Sequence, residues 1–188
     1  QQIQRMLEHP AFANTYIAIM PDCHAGKGAV IGFTMNLNDY IIPNIVGVDI
    51  GCGVLAARFE VDGLNLPAFD QFIKKDIPAG FSIHKKAKVA EDPTLRYWTN
   101  VIGMDYGKAL RSIGTLGGGN HFIEVGKDSQ VNTWVTIHSG SRNFGLRIAN
   151  HFQRKARKNL EQNRPGQQYK DLEYLLVDSR DGQDYLKA

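Results

Sequence analysis

Apolar and polar positions along the chain predict a mixture of strands and helices. Runs rich in β-branched and aromatic residues predict strands. They lie at Thr15–Ile19, Ala29–Met35, Val54–Val61, Phe122–Val125 and Trp134–Ile137. Helical spacing of apolar residues occurs at Gln1–Pro10, Leu66–Lys75, Gly103–Leu110 and Leu146–Leu160, with a first helical turn at Asp184–Ala188. Because the two element types do not alternate regularly, the pattern predicts an α+β fold, taken as a single domain over residues 1–188.

The segments between these elements are polar or rich in glycine. Met20–Gly28 is predicted as a loop, Ile77–His84 as extended chain or loop, and Leu172–Val177 as a short helix or strand. Lys85–Asn100 is polar and carries no clear period, so no element is predicted there. Loops that follow strands are common positions for functional residues.

The segment Asn44–Val54 (NIVGVDIGCGV) forms the centre of the sequence-based interpretation. Its apolar start predicts a strand, and the glycines allow a tight turn that aims Asp49 and Cys52 at one point. A carboxylate and a thiolate both bind metals when deprotonated. The alternative is a buried strand in which Cys52 is a small hydrophobic residue and Asp49 caps a turn.

Composition narrows the class of protein. Of the 188 residues, 43% are hydrophobic and 22% charged, which is typical of a globular domain. No apolar run is long enough to span a bilayer, so no membrane partner is expected. The two cysteines, Cys23 and Cys52, do not form a disulfide framework and suit a reducing compartment, which favours the cytoplasm. The net charge of +3 permits a phosphate-bearing partner.

Four side chains of metal-ligand type lie in glycine-rich turns or at strand ends: Asp49, Cys52, His121 and His138. Together they satisfy one divalent cation, or two cations that share the sulfur. Their wide separation in sequence differs from a zinc finger and resembles catalytic sites. Taken singly, His121 is better explained as a polar-loop histidine, and His138 as a strand-end histidine bonded to the backbone; the four residues together favour the metal site.

Three further sets of residues are suited to binding a phosphate or nucleotide or to acting as a general base. The glycine run ending at Asn120 offers backbone N–H groups to an anion, and Glu124 can accept from a nucleotide. Arg142 supplies a planar donor fork for phosphate, unless it forms a surface salt bridge. Asp22 can orient a ligand or act as a general base, unless it only holds a turn. The basic helix after residue 146 faces either RNA or solvent.

The longest motifs identify a resemblance. They are MPDCHAGKG, IGFTM, NIVGVDIGCGV, IGTLGGGNHFIEV and IHSGSRNFG, at residues 20–28, 31–35, 44–54, 113–125 and 137–145. In this order they strongly resemble the RtcB family of RNA ligases. The resemblance implies an unusual α+β fold with a glycine-rich, metal-binding centre. It also implies joining of an RNA 3′-phosphate or 2′,3′-cyclic phosphate end to a 5′-hydroxyl end, with GTP and two manganese ions.

The resemblance also implies roles for single residues. Asp49 and His121 resemble the ligands of one manganese, His138 a ligand of the other, and Cys52 the bridge between them. The GTP-contacting segment corresponds to Asn120, His121, Phe122, Ile123 and Glu124. Asp22 matches an acid needed for activity, and Arg142 matches a contact to RNA phosphate.

The sequence departs from the family pattern in length. Family members run to about twice this length, and their guanylylated histidine and a further histidine ligand lie far toward the C-terminus. After His138 the sequence contains only His151, inside the basic helix. We therefore expect a partial chain that forms no enzyme–GMP adduct alone. The competing interpretations are a metal-dependent phosphoesterase and a metal- and RNA-binding fragment without turnover.

Overall fold

A computed structural model describes residues 1–60, 63–167 and 169–188. Contacts group the chain into two compact units. The first unit comprises Gln1–Val48 and Arg147–Ala188, and the second comprises Asp49–Leu146. The prediction of one catalytic domain over residues 1–188 stays a prediction. Among the described residues, no helix combines the length and apolar character needed to cross a membrane.

The first unit contains both element types. Its elements are α1 (Gln2–Leu7), a 3-10 turn (Pro10–Phe12), β1 (Ile17–His24), β2 (Ile31–Met35), β3 (Tyr40–Ile41), α2 (Pro43–Val46), β7 (Leu175–Leu176) and α7 (Arg180–Lys187). Strands β1 and β2 form an antiparallel hairpin, and β3 pairs antiparallel with β7. The long helix α6 (Phe144–Asn163) belongs to this unit from Arg147 onward.

The core of the first unit is apolar but encloses one histidine. Phe12, Leu172 and Tyr174 are buried in it, and His9 is buried among them. The Nδ1 atom of His9 accepts from the Ala11 N–H at 3.1 Å, and Nε2 lies 2.9 Å from the Leu172 carbonyl oxygen. Burial, partly offset by the bond to Leu172, lowers the pKa of His9 to about 4. His9 therefore stays neutral in the native state above about pH 4.

Helix α6 follows its amphipathic pattern, with Ile148, Ala149, Phe152, Ala156 and Leu160 buried. Two cations of its basic face form ion pairs within the first unit. Lys155 pairs with Asp181 at 2.6 Å, and Arg157 pairs with the buried Glu173 at 3.1 Å. These two cations hold the C-terminal segment, which leaves fewer charges of the helix for an external partner.

The second unit is built on a three-stranded antiparallel sheet. Its elements are β4 (Gly53–Phe59), α3 (Leu66–Asp76), α4 (Pro93–Val101), α5 (Tyr106–Ser112), β5 (Phe122–Lys127) and β6 (Thr133–Ser139). The strand order is β4–β6–β5, and α4 packs against α5. Asp128 closes the β5–β6 hairpin by accepting bonds from Asn132 and from the Trp134 indole.

The chain contains both helices and sheets, so the α+β class is confirmed, and several local predictions need correction. The strand expected at Ile45–Val46 is wrong, because these residues lie in the short helix α2, which begins with Pro43. The predicted loop from Met20 is partly strand, because β1 continues to His24 through an irregular register opposite β2. Val61, the end of one predicted strand, lies outside the described residues.

Two helices were not foreseen in full. Helix α4 falls in a segment with no predicted element, although Asp92 caps it by accepting from the Leu95 N–H and Pro93 occupies its first turn. Helix α7 begins at Arg180, earlier than the predicted first turn, with Ser179 as its N-cap. Both starts carry capping residues that a search for apolar spacing passes over.

Candidate metal centre

The sheet of the second unit brings three distant segments to one edge. In the antiparallel order β4–β6–β5, the starts of β4 and β5 lie beside the end of β6. Cys52 immediately precedes β4, and His121 immediately precedes β5. His138 lies within β6, opposite Val54 on one side and Phe122 on the other. The sequence placed His138 just after a strand, and pairing with both neighbours extends the strand through it.

Cys52, His121 and His138 form a compact group of potential ligands. One ligand atom from each lies within 4.8 Å of the others. The Cys52 Sγ atom is 3.1 Å from His138 Nε2, and the two imidazole rings meet edge to face at 5.0 Å. The Cys52 thiol is exposed, so its interpretation as a small buried hydrophobic residue is wrong. A thiolate and two imidazoles are a donor set that divalent transition metals prefer.

Asp49 adjoins this group through His121. The Cys52 N–H donates to the Asp49 carbonyl at 3.1 Å, which closes the tight turn predicted between them. The Asp49 Oδ2 atom lies 3.2 Å from His121 Nε2. Its Oδ1 atom accepts from the Ser141 N–H at 3.1 Å and from the Ser141 hydroxyl. One carboxylate oxygen is therefore fixed by Ser141, and the other faces the imidazole.

Two glycines form the walls around the His121 ring. A Cβ atom at Gly140 would lie 2.8 Å from His121 Nε2, and one at Gly117 would lie 2.8 Å from Nδ1. Gly117 also has φ +101°, a conformation that other residues rarely adopt. The glycine run therefore provides close backbone approach, as its sequence indicates, but Gly117 packs against a protein side chain.

His121 has an unused nitrogen. Its side chain is 10% exposed, and its Nδ1 atom is buried without a hydrogen-bond partner in the part of the chain that the structure describes. Buried polar atoms normally have partners. His121 is grouped with a thiol and a second imidazole, and its ring keeps a nitrogen that none of the described protein groups uses, which fits a site that binds a cation.

The segment before α6 has an unusual backbone. Arg142 and Asn143 have φ values of 55° and 67°, so two successive non-glycine residues are left-handed. This bend lets Ser141 reach Asp49 while the Arg142 side chain turns to another loop. Its Nη2 atom donates to the carbonyl oxygens of Gly80 and Ser82, at 2.8 and 3.1 Å. Backbone strain of this kind concentrates at functional sites.

Comparisons with known proteins identify the family of this chain. The family model described as tRNA-splicing ligase RtcB matches residues 2–104 and 96–188. This chain belongs to the RtcB family. The RNA-splicing ligases RtcB1 and RtcB of two Escherichia coli strains, the second being K12, are each 34% identical over 209 residues, covering 100% of this chain and 51% of the relative. The tRNA-splicing ligase RtcB of Nanoarchaeum equitans is 29% identical over 230 residues, covering 92% of this chain and 47% of its own length.

This RtcB-family chain thus spans about half the length of the curated relatives it matches. The relatives' names indicate RNA ligases, and the Cys52 cluster is consistent with a metal-dependent member of that class. The ligand roles of single residues in this RtcB-family chain stay predictions.

The predicted nucleotide segment of the RtcB-family chain is divided between two faces of β5. Asn120 precedes the strand and is exposed, as are Phe122 and Glu124, whereas Ile123 is partly buried. Because side chains alternate along a strand, Ile123 does not share a face with Phe122 and Glu124. Phe122 also contacts the His138 ring edge to face, with centroids 5.5 Å apart. Ile123 can thus reach a ligand on that face only through its backbone.

The other two predicted residues occupy different settings. The Asp22 side chain lies in the first unit, 94% exposed, 3.4 Å from His24 Nδ1. Such an exposed pair contributes little to stability. Arg142 lies in the second unit, where one of its terminal nitrogens is used by backbone carbonyls.

Sequence reasoning did not identify Gly140 as part of the site, and it included Ser141 only in a candidate anion site with Arg142 and Asn143. Both lie in the SGS run directly after His138, and their roles depend on Asp49 and His121 arriving from distant segments. The repeated small residues beside a candidate ligand were the available signal.

Proposed function

We propose that this chain is the metal-binding part of a GTP- and Mn²⁺-dependent RNA ligase. The enzyme would join an RNA 3′-phosphate or 2′,3′-cyclic phosphate end to a 5′-hydroxyl end, in tRNA splicing or RNA repair. The observation that carries the proposal is the Cys52–His121–His138 group at one edge of the second-unit sheet. Membership of a family whose relatives are named RNA ligases supports it. A fold of RtcB type and a cytoplasmic location, suited to two exposed free cysteines, belong to the same proposal.

The donor set of a thiolate, two imidazoles and the neighbouring Asp49 carboxylate supports manganese binding, and Cys52 would be the ligand that two ions share. Asp49 and His121 would hold one ion and His138 the other. Bound manganese would neutralise negative charge on the GTP phosphates and on the RNA end. Asp49 and Ser141 would fix the His121 ring, because one carboxylate oxygen faces the imidazole while Ser141 holds the other.

Other residues would bind and orient the substrates. Asn120 and Glu124 offer amide and carboxylate groups to GTP, beside the exposed ring of Phe122. The Arg142 guanidinium would meet RNA phosphate through Nη1, because Nη2 donates to Gly80 and Ser82 and Nε is buried. Asp22 would act as the required acid.

Metal analysis of a matched pair of variants tests the proposal. Cys52→Ala removes the shared sulfur, and Cys23→Ala removes the other exposed free cysteine, which lies in the first unit. We expect the wild type and Cys23→Ala to retain manganese after dialysis, and Cys52→Ala to lose it. Equal metal content in all three proteins would contradict the proposed centre.

Activity assays separate the ligase from the alternatives. We expect this chain alone to form no covalent GMP adduct with radiolabelled GTP and manganese, because no motif for the guanylylated histidine occurs in its sequence. A protein-linked label would contradict that expectation. In the full-length protein, joining of a 3′-phosphate RNA to a 5′-hydroxyl RNA should require GTP. Phosphate release without joining would favour a phosphoesterase, and RNA binding without either product would favour a non-catalytic role.

A further inference from the structure

We infer that Phe81 is a stacking platform for an unpaired nucleobase of the RNA substrate, an inference that rests on the proposed function. Phe81 lies in the second unit, in the loop between α3 and α4, and its side chain is fully exposed. A single exposed apolar residue is common on protein surfaces and proves nothing alone. The inference depends on how the backbone beside it is held and on the charges that follow it.

Phe81 occupies the tip of a fixed turn. The Ser82 N–H donates to the Ala79 carbonyl at 3.1 Å, which closes a four-residue turn, and Gly80 supplies its φ of +61°. The Gly80 N–H donates to the Gly117 carbonyl at 2.9 Å. The turn is therefore bonded both internally and to the glycine run.

Arg142 fixes the two residues on either side of Phe81. Its Nη2 atom donates to the carbonyl oxygens of Gly80 and Ser82, so the backbone around Phe81 is held while the ring has no protein cover. A ring on a fixed backbone loses less conformational entropy when it binds a flat ligand than a ring on a mobile loop.

The same contacts connect the turn to the candidate metal centre. Gly117 lies between Arg142 and His121, since a Cβ atom there would be 2.9 Å from Arg142 Nη1 and 2.8 Å from His121 Nδ1. Phe81 is thus carried on the wall of the site where the RNA end would react. A base held there would belong to a nucleotide close to that end.

The charge beside Phe81 favours nucleic acid as the partner. Lys85, Lys86 and Lys88 follow within seven residues and are all exposed. Among the described residues, none of the three forms a salt bridge. Proteins that bind single strands combine cations for the phosphates with aromatic rings for the bases, and stacking accepts any base. An apolar protein segment would gain nothing from three neighbouring unpaired lysines.

Binding of a short, fluorescently labelled single-stranded RNA with a 3′-phosphate end tests the inference. Anisotropy would be measured at fixed salt and Mn²⁺ for the wild type and for Phe81→Ala, Phe81→Leu and Phe81→Trp. The Leu variant keeps apolar bulk without an aromatic face. We expect Ala and Leu to weaken binding about tenfold and Trp to restore it to within about twofold, with a change in Trp emission.

Tyr16→Ala is the matched control, because Tyr16 is an exposed aromatic residue in the first unit. It should leave RNA affinity unchanged, and all variants should bind manganese like the wild type. Wild-type affinity in Phe81→Ala or Phe81→Leu would overturn the stacking role while leaving the metal centre intact. Failure of the wild type itself to bind this RNA would overturn the inference and count against the proposed function as well.

Discussion

Two histidines, a buried one in the first unit and a partly buried one in the second, show opposite uses of the same side chain. His9 in the first unit has both nitrogens engaged, one by the Ala11 N–H and the other by the Leu172 carbonyl, and its ring packs against Tyr169 and Tyr174. His121 in the second unit has one nitrogen beside Asp49 and one with no partner among the described residues. A satisfied histidine contributes to the fold, whereas an unsatisfied one is available to a ligand.

Replacing each histidine by alanine should separate these roles. We expect His9→Ala to lower the free energy of unfolding by about 3 to 5 kcal/mol, because it opens a cavity and leaves the Ala11 N–H and Leu172 carbonyl unpaired. His121→Ala should lower the free energy of unfolding of the metal-free protein by only about 1 kcal/mol. The loss of the ring is partly offset, because the substitution also removes a buried nitrogen that has no partner among the described residues. Urea unfolding monitored by circular dichroism measures both. Equal losses would contradict the division of roles.

The pH dependence of stability should carry the signature of His9. The unfolded chain binds a proton near the ordinary pKa of 6.5, whereas the native side chain stays neutral until about pH 4. The contribution of neutral His9 to the free energy of unfolding is therefore fully present above pH 6.5. It is lost as the pH is lowered toward 4, and the loss is at most about 3 kcal/mol. The pKa of His151 is also lowered, by burial and then by Lys155, so it adds to the same trend. The difference between wild type and His9→Gln in urea titrations at several pH values isolates the His9 contribution. A constant difference across this range would contradict it.

The next largest expected effect is a loss of manganese affinity when a glycine that packs against His121 is replaced. Gly140→Ala should weaken manganese binding about hundredfold, because the new methyl group would displace the imidazole. Gly53→Ala is the control, since a Cβ atom there meets nothing within 4 Å although the residue adjoins Cys52. Isothermal titration with Mn²⁺ compares the two variants. Unchanged affinity in Gly140→Ala would show that His121 is not a ligand in the observed position.

The sequence could predict the parts of the fold and of the candidate site that depend on local residue pattern, but not those that depend on contacts between distant segments. Cys52, His121 and His138 were recognisable by residue type and by their glycine-rich surroundings, and the tight turn at Asp49 followed from spacing. Ser141 and Gly140 were not, because their roles exist only after β4, β5 and β6 pair. The start of α2 at Pro43 carried a local signal that the apolar run Ile45–Val46 outweighed.

Ser141 tests the orientation of Asp49 rather than the ligands themselves. Ser141→Ala removes the hydroxyl bond to Asp49 Oδ1 but keeps the backbone N–H bond, so we expect manganese affinity to fall about tenfold. Ser141→Thr keeps a hydroxyl and should recover most of the affinity. The absorption spectrum of the Co²⁺-substituted protein would report a changed ligand geometry that a loss of stability alone would not produce. Identical spectra and affinities would contradict a role for this bond.

The smallest expected effect concerns the left-handed pair before α6. Asn143 has φ 67°, a conformation that glycine adopts without steric cost and that other residues adopt less readily. Asn143→Gly relieves that strain but increases the freedom of the unfolded chain, so the net change in unfolding free energy should lie within about 1 kcal/mol. Asn143→Val should be clearly worse, because β-branched residues are rare outliers there. Manganese affinity should follow the same order, since this bend carries Ser141 to Asp49. If Val were tolerated in both measurements, the left-handed backbone would not be what positions the Asp49 carboxylate.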